Sequence, residues 1–234
     1  IWDDSFEEQV ALQGYNTAPV EALARTAAYF FRGRFTREQM SELHFLEMGC
    51  GAGPNLIWLA NRGIQVSGVD ISPKALELCR KNFEKHKLVK SLISLQEGSV
   101  EKTSFADGTF DGIFEACVFQ HLDRGQRQRA FNEVRRLLKP GGLFVGYMLD
   151  VVHTVYQTYK DQALSNDPGT IDLKQGGSKV YLTNIGLSHF FTKEELKDYL
   201  AGFSVVDPCL ATYYWPESEA RKREAAIKLW RREY

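Results

Sequence analysis

The sequence contains no uninterrupted apolar run that approaches the roughly 18 residues of a membrane-spanning helix. Residues 1–30 also lack the basic and then apolar order of a secretory signal. Its four cysteines, Cys50, Cys79, Cys117 and Cys209, form no CxxC pair and have no histidine partner at metal-ligand spacing. We therefore expect a cytoplasmic chain with buried, reduced thiols, no metal site and no membrane partner.

Charge of either sign is not in excess. The 234 residues include 29 lysines and arginines against 30 aspartates and glutamates, so the formal net charge is -1. Because no surplus of cations can neutralise a phosphate backbone, we expect no nucleic-acid partner. Two groups of arginines are expected to lie on solvated helix faces and in surface ion pairs: Arg32, Arg34, Arg37, Arg124, Arg127, Arg129, Arg135 and Arg136. The oligomeric state stays open.

From Phe45 onward, short apolar segments alternate with amphipathic segments of helical periodicity. This alternation predicts an α/β fold of the Rossmann-like, doubly wound type. Strands are expected at 45–48, 64–70, 92–96, 110–117 and 143–149, and helices at 54–62, 73–87, 124–138 and from 193 onward. With later segments counted, we expect a mostly parallel sheet of seven strands whose last strand is antiparallel.

Three segments depart from this alternation. Residues 1–43, with a helix predicted at 19–31, are expected to form a helical cover, while 44–234 form the main domain. The alternation breaks at about 150–191, a length typical of a lid or binding loop. The tail fits either a charged helix or a half-exposed strand, and we favour the strand at 227–231.

A glycine-rich turn follows the first predicted strand. It contains Gly49, Gly51 and Gly53, and Asp70 ends the second strand, where a carboxylate can accept both hydroxyl protons of a ribose. This pattern predicts a nucleoside-containing cofactor. Dinucleotide binders have the pattern Gly-x-Gly-x-x-Gly, and Pro54 stands at its third glycine. Because Pro54 has no N–H to offer a pyrophosphate, a phosphate-free cofactor is favoured. A nicotinamide-dependent oxidoreductase and a binding protein without catalysis remain alternatives.

Four blocks resemble the class I S-adenosylmethionine-dependent methyltransferases: LEMGCGAG at 46–53, VDIS at 69–72, FADGTFD at 105–111 and LLKPGG at 137–142. The resemblance implies S-adenosylmethionine as the cofactor. It places the methionine end of the cofactor on Gly49, Cys50 and Gly51, with the amino group near Glu47. It places the ribose on Asp70 and the adenine against Ile71, Ser99 and Val100. Family members often carry an acid at the position of Ser99, so we expect the backbone of Val100 to read the adenine, with Ser99 assisting.

Candidates for the chemistry lie at the end of the fourth strand and directly after it. Glu115 could contact ligand or make a structural hydrogen bond, and His121 could act as a base or shape its loop. Tyr147, Tyr181 and His189 could line a substrate cavity. We predict methyl transfer to an O or N atom of a small-molecule acceptor, with a nucleic-acid or protein methyltransferase as the alternative.

Overall fold

A computed structural model describes residues 2–11, 15–173, 186–204, 209–214 and 227–232. The chain divides into two compact units, Ile1–Leu200 and Ala201–Tyr234, each of which is described by itself. Within the described ranges, no helix has the length and apolarity needed to cross a membrane. The cytoplasmic location stays a prediction.

Eight helices and nine strands are assigned in the described residues. The helices are α1 (Trp2–Ala11), α2 (Glu21–Phe31), α3 (Arg37–Glu42), α4 (Pro54–Ala60), α5 (Pro73–Lys85), α6 (Arg124–Leu137), α7 (Thr154–Tyr159) and α8 (Lys193–Tyr199). The strands are β1 (His44–Met48), β2 (Gln65–Asp70), β3 (Leu92–Glu97), β4 (Phe110–Ala116), β5 (Leu138–Tyr147), β6 (Thr170–Asp172), β7 (Leu187–His189), β8 (Cys209–Tyr214) and β9 (Ile227–Arg232). Three short 3₁₀ turns lie at Val89–Ser91, Phe119–His121 and Lys160–Gln162.

The central sheet is parallel and has the strand order β3-β2-β1-β4-β5. The order reverses beside β1, so the carboxyl ends of β1, β2 and β4 border the crevice where open α/β sheets bind ligands. The predicted Rossmann-like fold is confirmed, as is the strand in the tail, because β8 and β9 pair antiparallel. The described residues do not confirm the count of seven strands in one sheet.

Local signals set the helix boundaries. Ser72 accepts a hydrogen bond from the backbone N–H of Ala75, and Pro73 occupies the first position of α5, where its missing N–H costs nothing. Asp123 forms a capping box with Gln126 at the start of α6. The fifth strand differs from its predicted start at 143. Because Leu138 pairs with Phe110 across a register shift, β5 begins directly after α6.

The predicted insertion at 150–191 has structure of its own. It contains α7 and an antiparallel ribbon of β6 and β7, in which Thr170 pairs with His189. Its own residues form a small apolar cluster: Val155, Ile171, Leu173 and Phe190. The insertion is therefore a packed subdomain in its described part, and its role as a lid stays a prediction.

Candidate cofactor-binding and active site

The glycine turn lies between β1 and α4, at the reversal of strand order. Gly49 has a φ of +77°, and a Cβ there would overlap the side chain of Val118. The backbone N–H groups of Gly49 and Cys50 both donate to the carbonyl of Val69, at 2.8 and 3.1 Å. The turn therefore requires glycine for its conformation and for the close approach of the loop after β4.

Asp70 is bonded directly to this turn. Its Oδ2 accepts from the backbone N–H of Gly51 at 2.7 Å, and its Oδ1 accepts from the N–H of Ser72 at 2.9 Å. Burial raises the pKa of the Asp70 carboxyl, and the backbone hydrogen bonds from Ser72 and Gly51 oppose that rise. The glycine turn and Asp70, which are separated in the sequence, are thus joined by a hydrogen bond into one structural unit.

Glu47 lies beneath the turn and is 2% exposed. Its Oε1 accepts from the Asn55 amide at 2.6 Å, whereas its Oε2 has no hydrogen-bond partner among the described residues. Burial, reinforced by the charges of Asp70 and Glu115, raises the pKa of Glu47 to about 8. Sequence reasoning missed Asn55, although an amide at the second position of the helix after a glycine turn was a usable signal.

Glu115 organises the loop that leaves β4. Its Oε1 accepts from the backbone N–H groups of Val118 and Phe119, at 2.6 and 3.0 Å, and the residue is fully buried. Burial raises the pKa of Glu115 to about 7 against these hydrogen bonds. Cys117 adopts a φ of +60°, and burial raises the pKa of its thiol to about 12. Burial therefore disfavours the thiolate of Cys117 at neutral pH.

His121 ends the 3₁₀ turn after β4. Its Nδ1 lies 3.0 Å from the carbonyl oxygen of Leu187, and its Nε2 lies 3.3 Å from the amide nitrogen of Gln120. The ring of Trp2 packs against the imidazole at a centroid distance of 5.1 Å. Burial lowers the pKa of His121, so its neutral form is favoured. A carbonyl can only accept and an amide nitrogen can only donate, so Nδ1 carries the proton and the lone pair of Nε2 accepts from the Gln120 amide.

The helix α1 lies across the carboxyl ends of β1, β2 and β4. Its sequence has no clear helical periodicity of apolar residues. Asp3 Oδ1 accepts from the Ser72 hydroxyl at 2.6 Å and from the backbone N–H of Lys74 at 3.0 Å. Phe6 lies over Gly51, whose Cβ would be 3.3 Å from that ring. The Ser72 hydroxyl lowers the pKa of Asp3, as expected for a carboxylate at the start of α5. These tertiary contacts account for a helix that periodicity did not predict.

The residues that were predicted to hold the adenine are only partly covered by contacts within the protein. Ile71 is 61% exposed, as a side chain that packs against a ligand would be, whereas Val100 is buried. The Ser99 hydroxyl lies 3.2 Å from Glu101 Oε1 and also accepts from the N–H of Glu101. Ser99 therefore has an acidic neighbour that sequence reasoning did not consider.

The predicted substrate residues do not come together as one group. Tyr147 is half-buried and packs against the main core. His189 is 1% exposed, with Nδ1 at 2.8 Å from Thr170 Oγ1 and Nε2 at 2.8 Å from Glu195 Oε2. Tyr181 lies outside the described residues. The contacts of His189 are those of a packed polar residue.

Residues 46–146 match a family model described as a methyltransferase domain. A tRNA N(3)-methylcytidine methyltransferase of Schizosaccharomyces pombe is 32% identical over 171 residues, covering 69% of this chain and 51% of that protein. A demethylmenaquinone methyltransferase of Symbiobacterium thermophilum is 33% identical over 122 residues, covering 48% and 47%. A solved SAM-dependent methyltransferase from Methanosarcina mazei superposes with a TM-score of 0.58 at 21% identity, covering 80% and 88%.

The chain belongs to the class I S-adenosylmethionine-dependent methyltransferases. The family match spans β1 to β5, which carry the glycine turn, Asp70 and Glu115. S-adenosylmethionine is the cofactor of this family. The chain spans about half the length, or less, of the curated relatives that it matches.

Three arginines of α6 in this methyltransferase, Arg127, Arg129 and Arg136, pair with carboxylates of the chain itself. Arg129 pairs with Glu101 at 2.6 Å, and Arg136 pairs with Glu133 at 2.7 Å. These contacts confirm the expected surface ion pairs at both positions. The expectation was wrong for Arg127, which is 0% exposed and pairs with a carboxylate 40 residues further along the chain.

Proposed function

We propose that this protein transfers a methyl group from S-adenosylmethionine to an O or N atom of a small-molecule acceptor. The observation that carries the proposal is the single unit formed by the glycine turn and Asp70 at the reversal of strand order. That unit leaves one hydrogen-bonded carboxylate at the crevice, where a ribose would lie.

The buried groups around the turn fit the cofactor. Glu47 Oε2 is an acceptor without a protein partner, as a contact with the cofactor's amino group requires. Gly51 presents its backbone without a side chain, at φ +52°. We assign the methionine end to Gly49, Cys50 and Gly51 with Glu47, and the ribose to Asp70. The exposed Ile71, with Val100 and Ser99, would hold the adenine.

The chain's own residues would supply alignment and a proton acceptor. When bound, S-adenosylmethionine provides an activated methyl group on a sulfonium, so the transfer is an in-line displacement. The hydrogen bonds from Val118 and Phe119 to Glu115 hold the loop on which His121 stands. The lone pair at His121 Nε2, which the Gln120 amide contacts at 3.3 Å, would take the proton that the acceptor loses. Trp2 packs against His121 and Phe6 lies over Gly51, and these rings would limit the access of water, which favours transfer over reaction with water.

Charge pairing supports a small acceptor over a nucleic acid. Arg127, Arg129 and Arg136 are each within 3 Å of a carboxylate oxygen of this chain. A phosphate that bound there would first have to displace an intramolecular partner, which reduces the gain from each contact. The formal net charge of -1 adds no general attraction.

Two measurements test the proposal. Isothermal titration with S-adenosylmethionine and its demethylated product should give saturable binding to the wild type and much weaker binding to Asp70→Ala. Incubation with methyl-labelled cofactor and a panel of small amines, phenols and quinols should then transfer label to one class. Absence of heat with both cofactor forms at sub-millimolar concentrations would refute the cofactor assignment, and binding of NADH instead would favour an oxidoreductase.

A second candidate is a tRNA methyltransferase. It is favoured by one observation, the relative from S. pombe, whose similarity covers 69% of this chain. Filter binding of unmodified tRNA at low and moderate salt separates the two candidates. Binding that weakens steeply with salt, together with transfer of label to the RNA, would support the second candidate. Label found only in the small-molecule panel would support the first.

A further inference from the structure

We propose that Arg127 and Thr170 are positioning residues for His121. They belong to a buried polar cluster that fastens the β6–β7 ribbon to α6, and this ribbon fixes the orientation and tautomer of the His121 imidazole. The cluster, called here the Arg127 cluster, consists of Arg127, Asp167, Thr170, His189 and Glu195. The inference rests on the proposed function in one respect only, namely that the His121 imidazole accepts a proton during methyl transfer.

The cluster begins at Arg127 on the buried face of α6. Its Nη2 donates to both carboxylate oxygens of Asp167, at 3.0 and 2.7 Å, and its Nη1 donates to the carbonyl of Leu122 at 2.7 Å. A guanidinium that is 0% exposed is tolerated only with such partners, because an uncompensated buried charge is strongly destabilising. The position of Asp167 is thereby tied to α6.

Thr170 connects Asp167 to the ribbon. Its hydroxyl donates to Asp167 Oδ2 at 2.6 Å and lies 2.8 Å from Nδ1 of His189, its partner across the two strands. On the other side of the ring, His189 Nε2 lies 2.8 Å from Glu195 on α8. The Arg127 guanidinium, the Thr170 hydroxyl and the His189 imidazole together therefore join α6, β6, β7 and α8.

The ribbon reaches His121 through Leu187. Leu187 lies two residues before His189 on β7, and its carbonyl oxygen is 3.0 Å from His121 Nδ1. The carbonyl is an obligatory acceptor, so its position decides which ring nitrogen keeps the proton. Trp2 on one side and Gln120 beside Nε2 complete the surroundings of the ring. A displaced β7 would release Nδ1, and both tautomers would become populated.

The test reads the tautomer directly. Protein labelled with ¹⁵N-histidine gives long-range proton–nitrogen correlations for its five imidazoles, and His121→Gln identifies the signals of His121. In the wild type, Nδ1 of His121 should be protonated and Nε2 should carry no proton. Thr170→Val removes the connecting hydroxyl and should shift the tautomer ratio of His121 about fivefold toward Nε2–H, as expected for loss of one hydrogen bond.

Matched variants separate positioning from general destabilisation. Thr170→Ser keeps the hydroxyl and should restore the wild-type ratio, while Lys81→Gln, which removes an exposed ion pair on α5, should leave the ratio unchanged. If Thr170→Val does not fold, Glu195→Gln at the more exposed edge of the cluster is measured in the same way. A His121 tautomer ratio equal to the wild type in these variants, despite shifted His189 signals, would overturn the proposal. So would a wild-type His121 that is protonated mainly at Nε2.

The tautomer measurement needs no cofactor and no acceptor. A failure of methyl transfer with an intact coupling between Thr170 and His121 would count against the proposed function alone. A normal methyl transfer with no such coupling would count against the positioning proposal alone.

Discussion

The buried carboxyl of Glu47 should make the protein without cofactor less stable as the pH rises. Its pKa is about 8 in the folded protein against an ordinary value of 4.5. Between these values the folded state holds a proton that the unfolded state has released, so stability is greatest below the lower pKa and is lost as the pH rises toward the higher one. Glu115, with a pKa of about 7, adds to this trend.

The size of the effect follows from the linkage relation. Each retained proton lowers the free energy of unfolding by about 1.4 kcal/mol per pH unit, so Glu47 alone contributes a loss of about 3 kcal/mol between about pH 5.5 and 7.5. Glu47→Gln keeps an acceptor for Asn55 and carries no titratable group. The unfolding free energy of this variant should therefore fall less steeply with pH, by about 1.4 kcal/mol per pH unit, than that of the wild type. The variant should also be more stable than the wild type at the higher pH.

Urea unfolding of the protein without cofactor measures this slope. Glu77→Gln is the control, because Glu77 lies on the exposed face of α5 and its pKa is lowered by Lys81 and Lys74, so it is ionised in both states across this range. A wild-type stability that is flat across these pH values, or a Glu47→Gln variant with the wild-type slope, would refute the reasoning about Glu47.

Three further predictions concern the crevice. Asp70→Ala should weaken S-adenosylmethionine binding by about 100-fold or more in calorimetry, since two charge-assisted hydrogen bonds are lost; an unchanged affinity would contradict the ribose assignment. Gly49→Ala should lower the urea midpoint by more than Gly108→Ala, because both positions have positive φ but only Gly49 has a neighbour that a Cβ would overlap. His121→Ala should keep cofactor affinity and reduce turnover about 100-fold; equal losses of affinity in His121→Ala and Asp70→Ala would remove the proposed role of His121.

Local sequence determined the alternating strands and helices of the protein and one part of its candidate site, the glycine turn with Asp70. The alternation of strands and helices, the caps at Ser72 and Asp123, and the glycine turn all act over a few residues, so periodicity and capping chemistry predicted them. The placement of Asp70 beside the turn also followed, because parallel strands end at the same edge of a sheet.

Tertiary structure alone decided which polar residues are buried. Arg127 shares the buried face of α6 with Ala130 and Phe131, but helical periodicity supplies no partner for its charge; that partner is Asp167, 40 residues away. Trp2, Asp3 and Phe6 belong to a helix without clear periodicity, and Asp3 meets Ser72 across 69 residues. A charge enters the interior only where a partner compensates for the lost water, and that partner is brought there by the packing of distant elements.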